Sequence, residues 1–164
     1  LRIETFQQAM RLANERAPST LAGGQYSFYF SCALAALYGR EALQPVQLEH
    51  LTDARVLDLA ARIELEPSSN FASAFPTGTP ARVVMDQGKG LEEMTVRHPL
   101  GDVANPLSTE QVVEKFKNIS RKNLHPRWQE EILTAIGGLE TAGFPPLLAA
   151  LRDGTADVRH PPKE

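Results

Sequence analysis

The first residues, Leu1-Arg2-Ile3-Glu4-Thr5-Phe6, alternate apolar and polar at the period of a strand, and Ala9, Met10 and Ala13 then recur at helical spacing. A strand followed by a helix is the simplest reading, with Pro18 and the Gly23-Gly24 pair stopping that helix. Residues 28–37 are apolar almost all the way round, as in a helix enclosed by protein. Thr52-Asp53 offers an N-cap for a helix carrying Val56, Leu57 and Ala60, because its side-chain oxygens can accept the orphan amides of a first turn. The period then switches: Arg62-Ile63-Glu64-Leu65-Glu66 alternates and Pro67 ends it, which predicts a strand with one buried face. Two further strand-like runs, Arg82-Val83-Val84-Met85-Asp86 and Glu93-Met94-Thr95-Val96-Arg97, flank Gly88-Lys89-Gly90 and predict a hairpin.

Beyond the loop at 101–106 the pattern becomes helical throughout. Ser108 and Gln111 stand at capping-box spacing, with Leu107 and Val112 placed as a hydrophobic staple, and Val112, Val113, Phe116 and Ile119 form the stripe that follows. Pro126 suits the first turn of a second helix, carrying Trp128, Ile132, Leu133 and Ile136; Pro145-Pro146 opens a third with Leu147, Leu148 and Leu151. The expected fold class is α+β: a small sheet with helices over residues 1–104, then an all-helical segment over 105–152. Residues 153–164, polar and bearing proline, are expected to be a disordered tail. Three short helices make a thin core, so the helical segment is expected to pack onto a larger helical body.

Composition narrows the function classes. The 164 residues are 42% apolar and 23% charged, enough for a real core, and the net charge of −3 comes from mixed signs rather than a basic stripe. Nucleic acid is therefore not an expected partner. Cys32 stands alone, which excludes an internal disulfide or a thiolate metal cluster and makes the cytoplasm the expected compartment. The longest apolar stretch falls well short of the roughly 20 residues that span a bilayer, so no membrane is expected. His50, His98, His125 and His160 show no metal-ligand spacing, and no metal is expected. The chain opens at Leu1 directly into strand-like alternation, as a truncated, processed or fragmentary chain would.

Several strings carry a resemblance. Gln25-Tyr26-Ser27-Phe28-Tyr29-Phe30 leads into an apolar helix ending at Tyr38-Gly39. Asp53-Ala54-Arg55-Val56 is followed by Ala61-Arg62-Ile63-Glu64. Pro80-Ala81-Arg82-Val83 precedes the hairpin, and Gly101-Asp102, Asn105-Pro106-Leu107-Ser108 and Glu114-Lys115-Phe116 come after it. In this order the sequence resembles the C-terminal part of the MmgE/PrpD family, which includes 2-methylcitrate dehydratases, cis-aconitate decarboxylases and iminodisuccinate epimerases. The resemblance implies a lid domain followed by helices that return to a large N-terminal helical domain, absent from these residues. It implies chemistry on di- or tricarboxylates by proton abstraction beside a carboxylate, without a metal or organic cofactor. The acid, base and most carboxylate donors are then expected in the N-terminal domain, with the lid closing the pocket against water.

By the same resemblance, Tyr26, Ser27, Tyr29 and Phe30 are the substrate-pocket candidates, and no catalytic residue is assigned within the chain. The sixth position of that segment, commonly tyrosine in the family, is Phe30 here, and the family's aspartate before the glycine is Tyr38. Each candidate also has a structural reading: Phe28 and Phe30 as core, Ser27 as an N-cap, Asp102 and Asn105 as turn residues. Cys32 reads as buried and inert, and His98, just after the last strand, as a surface or turn histidine rather than a base. Two functions stay open: part of a cofactor-independent lyase or isomerase, inactive alone, or a non-catalytic binding or assembly module of the same fold. The stripes at 112–119 and 128–136 predict a homo-oligomer.

Overall fold

The structure, a computed structural model, describes residues 1–86, 88 and 90–159. The turn residue Lys89, His160 and the rest of the expected tail at 160–164 lie outside the described residues. The chain divides into two units, Leu1–Leu107 and Ser108–Glu164. The first mixes sheet and helix and the second is helical, giving the α+β class.

In the first unit β1 (Arg2–Thr5) is followed by a 3-10 turn at Gln7–Arg11 and then by α1 (Leu21–Gln25), α2 (Phe28–Tyr38) and α3 (Ala54–Ala61). β2 (Glu64–Pro67), β3 (Ala81–Asp86) and β4 (Leu91–Val96) complete the sheet, in the order β2-β1-β3-β4. β1 runs parallel to β2 and antiparallel to β3, with Ile3 opposite both Leu65 and Val83. The helices form the crossover that a parallel pair requires. Ile3, Phe30, Leu34, Val56 and Ile63 are at most 1% exposed and form the centre of the core. Each such side chain contributes about 1.5–3 kcal/mol through burial.

The local rules account for the starts of these elements. Ser27 caps α2 by accepting from the Phe30 N–H, and Asp53 caps α3 by accepting from Arg55 and Val56. Ile63 is buried and Leu65 half-buried while Glu64 and Glu66 are exposed, as the alternation predicts. The glycine pair is a correction. Gly23 and Gly24 do not end a helix; they lie inside α1, with Thr20 Oγ1 capping the Gly23 N–H at 3.0 Å. Gly24 is buried because α2 comes close: a Cβ there would stand 3.1 Å from the Phe30 ring.

The second unit contains α4 (Thr109–Ser120), α5 (Pro126–Gly137), the short α6 (Leu139–Ala142) and α7 (Pro145–Arg159). The capping box at Ser108 and Gln111 is formed in both directions, and Pro126 opens α5. Gln129 is buried on α5 and donates to the Lys117 carbonyl and to Ser120 Oγ, at 2.9 and 2.8 Å. α4 buries no residue, and Val112, Ile119 and Ile136 stay exposed, so this unit leaves apolar surface uncovered. The sequence reading placed disorder from Asp153, whereas α7 continues to Arg159. Within it Gly154 packs closely: a Cβ there would meet Leu124 at 3.1 Å and Trp128 at 3.4 Å.

Candidate functional site

Residues 25–30 join α1 to α2, and the preceding loop is tied to them at three successive residues. Asn14, in the left-handed region at φ 47°, donates from Nδ2 to the Ala9 carbonyl and accepts at Oδ1 from the Phe28 N–H. The Glu15 carbonyl accepts from Ser27 Oγ at 2.6 Å. Arg16 Nη1 donates to the carbonyls of Ala60, Ala61 and Ile63, at 2.7, 3.1 and 2.7 Å, and its guanidinium carbon lies 3.8 Å from the centroid of the Tyr29 ring. A cation at these carbonyls satisfies the end of α3 and complements its dipole. The loop thus fastens the start of α2 to the end of α3.

The four candidate residues do not converge on one cavity wall. Tyr26 is 61% exposed and Tyr29 is half-buried beneath Arg16, whereas Ser27 and Phe30 are inside. Ser27 spends its hydroxyl on the cap and on Glu15, and Phe30 sits in the core beside Gly24. The turn reading of the 101–106 loop is realised: Asp102 Oδ1 accepts from the Ala104 N–H, and Asn105 Nδ2 donates to the His98 carbonyl.

Other chemistry-bearing groups are committed to structure. Burial pushes the Cys32 thiol up to about 11, so little of it is nucleophilic thiolate near neutral pH. The Tyr38 hydroxyl donates to Asp53 Oδ2; this bond raises the pKa of the phenol and lowers that of the carboxyl. His50 Nδ1 accepts from the Gln47 N–H and His125 Nδ1 from Arg127, so both imidazoles serve as caps. On the sheet, Glu4 is 9% exposed between Arg2 and Arg82, 3.4 Å from each, while Arg2 also pairs with Glu66 and Arg82 with Glu93. Among the described residues no three His, Cys, Asp or Glu side chains gather as a metal site.

A cleft of about 380 Å³ lies elsewhere in the first unit, between the 70–80 loop and the end of β4, with Asn70, Ser73, Thr77, Arg97 and His98 in its lining. The sequence reading missed it, favouring a surface or turn histidine over a base at His98. The hairpin register brings residues 70–80 beside residues 97–98, and no local spacing announces that.

Comparison with known proteins gives one positive result. The family model of the MmgE/PrpD C-terminal domain matches residues 1–141. No curated protein matches the chain.

Proposed function

Because the chain belongs to the MmgE/PrpD family, as its C-terminal domain, we propose that it is the pocket-closing part of a cofactor-independent lyase or isomerase acting on di- or tricarboxylates. The observation that carries the reading is the family match, which covers both the sheet unit and most of the helical one. In this reading proton abstraction beside the substrate carboxylate belongs to a helical partner domain. The present residues exclude water and orient the substrate.

The side-chain chemistry supports that division of labour. Cys32 is held as a thiol, Tyr38 and Asp53 are bonded to each other, and His50 and His125 cap helices. Tyr26 is exposed and Tyr29 half-buried, and these are the residues through which the segment would reach substrate. Ser27 and Phe30 hold that segment in place. The apolar surface left on the second unit fits burial against the partner helical domain or a second copy of the chain. No helix among the described residues is long and apolar enough to cross a membrane; the lone cysteine favours a reducing compartment such as the cytoplasm.

A binding or assembly role without catalysis is the second reading. It is favoured by Phe30, which is fully buried and has no hydroxyl at a position where the family commonly has one. Turnover separates the readings from a third possibility, a self-sufficient enzyme. The purified chain, offered 2-methylcitrate, cis-aconitate and related polycarboxylates and followed by ultraviolet absorbance, is expected to leave them unchanged. Saturable turnover would place the base among these residues and sink the proposal.

A further inference from the structure

The two edges of the sheet are finished differently. β2, at one edge, has four residues and ends in Pro67, which has no N–H to offer a further strand. β4, at the other, has six residues paired to β3 without interruption, from Leu91 opposite Asp86 to Val96 opposite Ala81. Among these described residues there is no proline, lysine or bulge, the devices that usually blunt an edge, and all six are exposed. An edge of this kind presents a row of unpaired N–H and C=O groups to another strand.

The two faces of β4 carry different chemistry. Met94 stands opposite Val83 and Val96 opposite Ala81, on the face that Val83 shares with the core residue Ile3, yet both are exposed. Glu93 and Thr95 lie on the other face, opposite Val84 and Arg82. The Glu93 carboxylate accepts from Arg82 Nη2 and keeps lone pairs for a second donor. Arg97 follows directly after the last residue of the strand, and among the described residues no carboxylate is paired with it. The charge along this run therefore passes from Glu92-Glu93 at its start to Arg97 at its end.

We propose that β4 is a docking edge for a second copy of this chain, the two β4 strands pairing antiparallel about a two-fold axis through Thr95. Antiparallel pairing sets residues with outward-pointing backbone groups opposite one another, so a symmetric register is centred on a residue. Centred on Glu93, it would oppose that carboxylate to its own copy; centred on Met94, it would set Glu92 against Val96. Centred on Thr95, it sets Met94 against Val96 on one face and, with the strand carried one residue further, Glu93 against Arg97 on the other, each pair made twice. Apolar and opposite-charge pairs across strands are the ones that stabilise a sheet, so both faces select the same register. A strand acidic at its start and basic at its end attracts its own copy when the two run antiparallel. The inference stands on the register and charge of β4 and does not rest on the family reading.

The experiment is analytical ultracentrifugation of the whole chain over a range of concentrations. A reversible monomer–dimer equilibrium is expected, with a dissociation constant of roughly 10–100 μM, as suits a small interface. Arg97→Glu and Glu93→Lys each weaken it about tenfold or more, because each creates two like-charged pairs. An equimolar mixture of the two variants restores association, since both pairs across the axis are then opposite in sign. Amide hydrogen exchange of the unaltered chain serves if either variant fails to fold: the β4 amides slow as the concentration rises. The proposal is overturned by a monomer at every concentration, by a mixture that associates no better than either variant alone, or by β4 exchange that is indifferent to concentration.

Discussion

Replacing Ser27 by alanine separates a structural serine from a substrate contact. Ser27 is 2% exposed, and its hydroxyl donates to the Glu15 carbonyl at 2.6 Å and accepts from the buried Phe30 N–H at 3.2 Å. Loss of an N-cap costs about 1 kcal/mol, and leaving the Glu15 carbonyl without its donor adds roughly another 1–2 kcal/mol. The expected total of about 2–3 kcal/mol lowers the melting temperature of the first unit by roughly 9–13 °C. Spectroscopy can isolate that unit, because all three tyrosines lie in it while the single tryptophan, Trp128, lies in the second. Near-ultraviolet tyrosine dichroism is therefore expected to melt early, with Trp128 fluorescence tracking the wild type. Ser27→Gly isolates the lost Glu15 bond, since glycine at an N-cap costs only a few tenths of a kcal/mol relative to serine. A tyrosine transition within about 1 °C of wild type for Ser27→Ala would show that neither bond matters to the fold and refute the reasoning.

Arg16→Ala removes the donor to three carbonyls and the cation over Tyr29; it is expected to lower the same tyrosine transition, with Arg16→Lys intermediate because an ammonium lacks the planar fork. Gly24→Ala forces a methyl to 3.1 Å from the Phe30 ring, and overpacking of about 1–2 kcal/mol, partly offset by better helix propensity, should appear as a lowered denaturation midpoint. At pH 8 the Cys32 thiol, raised to about 11, should react with a disulfide reagent roughly a hundredfold more slowly than after denaturation. Since its folded pKa lies above its unfolded one, the native state holds the proton longer, and stability should fall as pH rises from about 9 to 11. Tyr38→Phe deletes the bond that chiefly holds the Asp53 carboxyl low; a carbon-detected titration should show that carboxyl moving up towards its ordinary range. Asp53 contributes its stability above its unfolded pKa and loses it as pH falls through the folded one, so Tyr38→Phe should be less sensitive to acid over that interval.

What was legible in the sequence was short-range. Ser27, Asp53 and Ser108 announce helices because an N-cap needs only its own side chain and the next turn, and all three accept the expected amides. Residues 81–96 read as a hairpin because alternation and the glycine turn are neighbours in the chain. Long-range packing was not legible. Gly23-Gly24 reads as a helix stop until the Phe30 ring is placed against it, and Gly154 reads as a tail residue until Trp128 is found beside it. β4 alternates like a half-buried strand, yet it lies at the sheet edge with Met94 70% exposed. For the candidate site, the sequence singled out segment 25–30 as an expectation. It could not tell exposed Tyr26 and half-buried Tyr29 from Ser27 and Phe30 within, because the loop that decides their environment reaches across to α3 through Arg16. The cleft at Arg97 and His98 depends on tertiary approach alone.

The central claim is that these residues close a pocket whose acid and base stand on a helical partner domain. Its most direct test joins the chain behind the N-terminal helical domain of an active MmgE/PrpD enzyme, in place of that enzyme's own C-terminal domain, and measures turnover of the enzyme's polycarboxylate by absorbance. The account predicts turnover clearly above that of the helical domain alone, and further reduced when Tyr26 and Tyr29 are both changed to phenylalanine. A folded chimera no more active than the helical domain by itself would contradict it.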